Sequence, residues 1–465
     1  MVTSTTSPSE LFRTYFTIKS LENTYDTKIR PKFAKGIDRL SPSQFAAQSD
    51  TQLKIVKNKC LKGNYKFAPY REILQSKGRG KAPRVLAIPT VRDRIVLHQL
   101  KEILFQVFPE CVQRKLANTY IYDIRKYVDS KCPSQIGIIR TDIKSFYDDI
   151  DRTILLDKLS QKIRSNKLLK LIQGAITTPI VPKNYKKSER EQYLEVKGIP
   201  QGLSISNILA EIYLIELDLE LKQSNAIYLR YVDDILVFCS IDRRETIKEI
   251  ITRQLGKLQL RINQDKTFIG TGLDSLEYLG YQLKLPEVTI KDAAKERFIS
   301  SVAAKFSDYR HNSHDRLKKY KYLTTERLKE IFILELNEKI TGAISEKKRY
   351  GWISYYSAIS DYSVLHKMDK IIAKFFHRLE DFNGAAPHQL KKLLKAFFQS
   401  KYSPNKGYIH NYNNYETIAQ KIEFLRQRGK LDPKQGYSDE QICRKFEYVK
   451  KRNLSELEKD DANIY

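Results

Sequence analysis

The sequence predicts an α+β fold in which a small sheet layer is backed by helices and followed by a helical second half. Three observations carry this expectation. Short apolar runs at residues 136–143, 227–231 and 235–239 alternate with stretches of helical periodicity. The second and third runs follow each other closely and flank two acids, as the arms of a hairpin do. After Leu285 the strand signal fades, and residues 291–378 read mostly as helix until Asn383-Gly384 and Pro387 interrupt them.

Taken in chain order, the first segment, to about Lys59, is helical, with breaks at Pro31 and Gly36 and with Ser41-Pro42 as an N-cap and first helical residue. Extended runs at residues 65–67 and 84–88, joined by the basic stretch 77–81, suggest a β-hairpin with a cationic tip. Residues 91–107 place Ile95, Val96, Leu100, Ile103, Leu104 and Val107 at helical spacing. Further helices are expected near 152–163 and 204–221, with a loop around 177–197 between them. A last, largely helical segment runs from 388 to 465.

The 465 residues exceed what one small core holds, so about three domains are expected at ~150 residues each. A hydrophobic content of 41% excludes wholesale disorder. No uncharged apolar run approaches the ~18 residues of a membrane helix, and residues 1–10 carry no signal-peptide pattern, so a cytoplasmic protein without membrane contact is expected. The formal charge of +28 points to a polyanionic partner, nucleic acid first among them. Residues 286–465 carry +11 of it and the rest of the chain +17, so a basic tail is not the source. Five scattered cysteines show no zinc or disulfide spacing.

The chemistry is expected at carboxylates. Asp233-Asp234 sits between Ile227-Tyr228-Leu229-Arg230-Tyr231-Val232 and Ile235-Leu236-Val237-Phe238. Adjacent carboxylates repel and resist desolvation, a conflict that a divalent cation resolves, although an ordinary Asp-Asp turn would also explain the pair alone. Asp142 ends another apolar run, and three acids on neighbouring strands can build a two-metal site for phosphoryl transfer.

Tyr231-Val232-Asp233-Asp234 resembles the Tyr-x-Asp-Asp signature of reverse transcriptases, and companion motifs occur in family order. Arg84-Val85-Leu86-Ala87-Ile88-Pro89-Thr90 with Asp93-Arg94 is similar to the first fingers motif, and Asp142-Ile143-Lys144-Ser145-Phe146-Tyr147 to the first palm motif. Gly198-Ile199-Pro200-Gln201-Gly202, Leu260-Arg261-Ile262-Asn263 with Lys266, and the primer-grip-like Glu277-Tyr278-Leu279-Gly280-Tyr281 complete the set. The resemblance implies a right-hand polymerase: residues 63–285 as fingers and palm with an antiparallel sheet, 286–380 as a helical thumb, 1–62 as an N-terminal helical segment and 381–465 as a helical module for RNA or partner binding.

It also implies roles. Asp142, Asp233 and Asp234 would hold two Mg²⁺ ions, with Mn²⁺ as a substitute, the last acid contributing less directly. Arg84 would contact the incoming deoxynucleoside triphosphate, Tyr147 would exclude a 2′-hydroxyl unless it is a core aromatic, and Gln201 would touch the nascent pair. Lys266 would protonate pyrophosphate unless it is a solvated loop lysine. Arg94, Gly198, Gly202, Tyr278 and Gly280 would lie along template and primer. The products and partners implied are an RNA template and a DNA product.

Segments 336–344, 349–352, 424–430 and 437–440 are similar to the bacterial antiviral defence-associated reverse transcriptases of the "unknown group", their type 3 branch in particular. That likeness implies a noncoding RNA template and a second reverse transcriptase subunit. Two alternatives stand beside it. A group II intron maturase would share fingers and palm, and a catalytically silent RNA-binding scaffold would keep the fold.

Overall fold

The computed structural model describes residues 6–31, 34–76, 82–112, 117–129 and 131–462. The chain forms two compact units: Met1–Arg114 with Ile136–Gly270, and Lys115–Gln135 with Thr271–Tyr465.

In the first unit, β1 (Tyr70–Gln75) pairs antiparallel with β2 (Arg84–Ile88), setting Gln75 opposite Arg84. The expected strand at 65–67 therefore lies further along the chain. The Tyr65 hydroxyl instead donates to the buried Asp93 carboxylate at 2.6 Å, drawing this segment onto the Val91–Val107 helix. The expected cationic tip, 77–81, lies outside the described residues. Thr90 caps the Val91–Val107 helix by accepting from the Asp93 amide, which satisfies one of the unpaired donors of the first turn.

The central sheet has the order β5 (Ile227–Tyr231), β6 (Asp234–Ser240), β3 (Ile136–Asp142), β7 (Phe268–Thr271); a short β4 (Ile180–Val181) pairs parallel with β1. The two inner strands, β6 and β3, are the ones with near-continuous apolar runs, because a strand with neighbours on both sides and cover on both faces offers water no side. Helices Arg152–Lys162, Ser206–Tyr213, Ile215–Lys222 and Arg244–Lys257 contribute Leu155, Leu159, Leu209, Leu217, Ile247 and Ile251 to the same core. The helix expected over 204–221 is thus two helices meeting at Leu214.

The second unit takes the helix Ala117–Val128 from its first piece, and its longer piece begins with a meander, β8 (Leu276–Tyr278), β9 (Tyr281–Lys284) and β10 (Glu287–Ile290), ordered β10-β9-β8. Helices Asp292–Lys319, Thr325–Thr341 and Ser363–Phe375 follow, as the apolar periodicity of this stretch predicts. Phe306, Tyr309, Phe332, Phe376 and Phe382 interlock between them, mostly edge to face, with Tyr309 tilted against Phe332. One sheet interrupts the helices: β11 (Ala343–Ser345) lies between β12 (Lys348–Tyr350) and β13 (His410–Asn411). The segment after residue 380 is thereby built into this unit's sheet and core. Among the described residues no helix is long and apolar enough to cross a membrane.

Candidate active site

Register alone brings the acids together. β3 and β6 run antiparallel, so the last residue of β3 meets the first of β6, and Asp142 pairs with Asp234. Tyr231 of β5 pairs with the same Asp234, so Val232 and Asp233 form a two-residue turn at this edge of the sheet. A slip of one residue would send every side chain of β6 to the opposite face, and the two-residue turn that joins β5 to β6 fixes the register against it. The Asp233 carbonyl accepts from the Ile143 amide at 3.1 Å, tying the turn to the end of β3.

The turn is strained. Val232 has φ 56°, a left-handed value that a β-branched side chain adopts at a cost of about 1–2 kcal/mol. Arg230 holds it there. Its fully buried guanidinium donates to the Val232 carbonyl at 2.8 Å, to Asp218 Oδ1 at 2.7 Å and to Glu211 Oε2 at 2.6 Å, while the Tyr228 hydroxyl also donates to Asp218. Sequence reasoning passed over Arg230. The signal available was a charged residue inside an otherwise apolar strand, which must find buried partners.

The three carboxylates have different surroundings. Asp234 accepts a two-pronged contact from Arg140 at 3.2 and 3.1 Å. Asp142 Oδ2 accepts from Lys266 Nζ at 2.7 Å and from Asn263 Nδ2 at 3.4 Å, and the Asn263 amide donates to the Asp142 carbonyl. Asp233 forms no ion pair among the described residues. Burial, and then the neighbouring Asp142, push its carboxyl up to about 6. Burial also raises Asp234, against the pull of Arg140.

The other expected residues divide. Tyr147 donates to Asn207 Oδ1 at 2.8 Å, and its hydroxyl is held above the usual range by burial and then by Asp233, with Arg84 acting in the opposite direction, so Tyr147 lies within electrostatic reach of both. Gly198 and Ile199 bond back to the Ile150 and Tyr147 carbonyls at 2.8 Å. Gly198 has φ +78°, and a Cβ there would stand 2.6 Å from the Asp148 carbonyl oxygen, so only glycine lets this loop approach. The Gln201 carbonyl accepts from the Ala87 amide at 2.7 Å, and Gly202 lies against the same residue, which ties the loop to β2. Arg94 points elsewhere, donating to the Ala34 carbonyl at 2.6 Å. In the second unit, Leu279 and Gly280, both at positive φ, make the turn between β8 and β9, and the Tyr278 side chain is buried in that unit's core.

Residues 76–283 match the family model for reverse transcriptase (RNA-dependent DNA polymerase). The chain carries a reverse transcriptase domain. Relatives of this domain include Protein YkfC of Escherichia coli K12, 25% identical over 298 residues that make up 53% of this chain and 75% of that protein. The group II intron-encoded protein LtrA of Lactococcus lactis is 27% identical over 37% of this chain and 28% of its own. A 91 kDa protein in the cob intron of Schizosaccharomyces pombe is 32% identical over 33% of this chain and 19% of its own. The chain thus spans under a third of the length of these intron-associated relatives. A solved telomerase from Candida albicans aligns with 74% of this chain and 68% of its own at 14% identity and a TM-score of 0.46.

The carboxylates of the reverse transcriptase domain fit a divalent cation in part. Asp142 and Asp233 are oxygen donors that repel each other in a poorly solvated position, and one or two carboxylates plus substrate phosphates is the set that Mg²⁺ favours. Asp234 is already held by Arg140, and among the described residues no group of three acidic, His or Cys side chains converges on one point.

Proposed function

We propose that the chain is an RNA-directed DNA polymerase that joins deoxynucleoside triphosphates to a primer 3′-hydroxyl along an RNA template, with Asp142, Asp233 and Asp234 at its catalytic centre. The observation that carries this reading is the edge-of-sheet pairing of Asp142 with Asp234, with Asp233 in the intervening turn and in no ion pair among the described residues. Asp142 and Asp233 would hold two Mg²⁺ ions, or Mn²⁺, with Asp234 supporting them from its contact with Arg140. When bound, such ions stabilise the attacking and leaving oxygens of an in-line displacement.

The protein's own side chains supply the rest. Arg84 binds the triphosphate as a permanently charged fork. The Tyr147 ring, fixed by its bond to Asn207, fills the space that a 2′-hydroxyl would need. Gln201, on the loop between β2 and residues 147–150, meets the nascent base pair, and Gly198 and Gly202 let backbone approach it closely. Lys266, whose Nζ lies 2.7 Å from Asp142 Oδ2, is the proton donor to the departing pyrophosphate in this reading. The β8–β9 turn at Leu279-Gly280 contacts primer through backbone, since the Tyr278 ring is buried. Arg94 acts on template only by exchanging its contact with Ala34.

In this reading residues 63–285 are fingers and palm, 286–380 thumb, and 1–62 and 381–465 flanking helical parts. The likeness of segments 336–344 and 424–430 to antiviral defence enzymes supports a noncoding RNA template, a second reverse transcriptase subunit and a cytoplasmic role against phage. Those two segments meet in a buried ion pair, Glu338 with Arg428 at 2.6 Å. The similarity to LtrA favours a second reading, a group II intron maturase. Sequencing the nucleic acid that co-purifies with the full chain separates them: a discrete noncoding RNA with its complementary DNA supports the first, intron RNA the second. RNA with no DNA, and no primer extension by the purified chain, would leave a silent scaffold.

A further inference from the structure

The second unit contains an open cavity of about 920 Å³, within the size range of small-ligand sites. Its walls come from the end of the Asp292–Lys319 helix, the Thr325–Thr341 helix, the loop after helix Ile418–Gln427, and helix Asp439–Ala462. Ten basic and five acidic residues line it. Several of the acids are already engaged by neighbouring cations: Glu338 by Arg428, Asp308 by Arg316, and Glu456 by Lys305 at 3.7 Å and by Arg452 at 3.9 Å. Lys321, Lys430 and Lys434 have no ion pair among the described residues.

Lys430 is the most informative. The helix Ile418–Gln427 ends in a left-handed cap at Gly429, φ +61°, with the Lys430 amide returning to the Leu425 carbonyl at 2.8 Å and the Gly429 amide to Arg426 at 2.9 Å. A Cβ at Gly429 would stand 2.8 Å from Ile331, so glycine lets this loop press against the Thr325–Thr341 helix. The cap thereby sets Lys430 in the cavity beside Arg316, Arg428 and Arg452, with Glu335 as its opposing charge. Burial, and repulsion from those three arginines, hold its ammonium below the usual lysine range despite Glu335. A half-buried cation among cations is an arrangement that a multiply charged anion completes. Three tyrosines, Tyr320, Tyr322 and Tyr437, share the lining, and the Tyr320 ring is exposed.

We propose that this cavity binds the phosphates of a nucleotide, free or as the 5′-terminus of an RNA, through Lys430, Arg452 and Arg316, with Tyr320 available to stack on the base. The site is separate from the polymerase motifs in sequence and needs no divalent ion. The test is a pair of titrations of the full chain in EDTA: ATP, and a short 5′-triphosphorylated RNA against the same RNA with a 5′-hydroxyl. Wild type should bind ATP, the triphosphorylated RNA, or both, saturably, and the probe that binds identifies the source of the phosphates. Lys430→Gln should weaken that binding at least tenfold while raising the melting temperature of the ligand-free protein, because it removes an unfavourably placed charge. A lysine with a merely structural role would not give this opposite pair of effects. Arg452→Gln, on a different helix, should weaken binding as well. Saturable binding of neither probe, no preference for the triphosphate end together with no ATP binding, or unchanged affinity in both variants would overturn the proposal.

Discussion

Asp233→Asn removes one charge from the turn without changing side-chain volume, and the structure gives its effect a sign in the metal-free protein. Asp233 titrates near 6 in the folded chain because it is buried and faces Asp142, against an ordinary value of 3.8. Below the ordinary value the carboxyl is protonated in both folded and unfolded chains, and Asp and Asn behave alike. Between the two values the folded state holds a proton that the unfolded state has lost, so stability falls as pH rises, and above about 6 the full penalty is present. The difference corresponds to about 3 kcal/mol, reduced to about 1–2 kcal/mol by partial solvent access. At about 2–4 °C per kcal/mol, Asp233→Asn should melt about 2–8 °C higher than wild type at pH 8 in EDTA. This advantage should shrink towards zero near pH 4. Adding Mg²⁺ should stabilise wild type and leave the variant unmoved, while nucleotide incorporation by the variant is lost. A variant that melts at or below wild type at pH 8 in EDTA would refute the reasoning that Asp233 is an uncompensated carboxylate.

Three further outcomes follow from the same geometry. Tyr147→Val should raise ribonucleotide incorporation relative to deoxynucleotide, whereas Tyr147→Phe, which loses only the bond to Asn207, should keep the discrimination; equal ratios in wild type and Tyr147→Val would return this ring to the core. Arg230→Met strands Asp218 and Glu211 without their cation and should destabilise the first unit by about 3–5 kcal/mol, and combining it with Asp218→Asn should recover part of that loss. Additive losses in urea melts would deny the coupling. RNA affinity should fall with salt at a log–log slope near −0.7 per phosphate contacted, so a flat response would detach the +28 charge from RNA binding.

How much of this was legible in the sequence depended on whether neighbours along the chain or across it decide the outcome. The inner strands β3 and β6 were readable because both are buried on two faces, leaving the acids as conspicuous interruptions. The Val91–Val107 helix was readable from its spacing, and its cap, Thr90 with Asp93, follows the same local rule. The displaced β1 was not, because Tyr65 is drawn to Asp93, a partner 28 residues away that local pattern does not reveal. Nor was the sheet at 343–350, which owes its third strand to His410-Asn411. Within the site, residue types and order pointed to Asp142, Asp233 and Asp234, but not to the division of labour among them: Arg140 on Asp234, Lys266 on Asp142, and no cation on Asp233 among the described residues. Arg94 and Tyr278, which motif membership places along template and primer, also have surroundings that the local pattern did not reveal: a contact with the Ala34 carbonyl for one and burial for the other.

The central claim is that these carboxylates make the chain a polymerase, and primer extension tests it most directly. Purified full chain, a defined RNA template with an annealed DNA primer, four deoxynucleoside triphosphates and Mg²⁺ should give template-length DNA, none in EDTA, and none from Asp142→Asn at any Mg²⁺ concentration. Extension by Asp142→Asn at the wild-type rate, or none from a well-folded wild type with either Mg²⁺ or Mn²⁺, would contradict it.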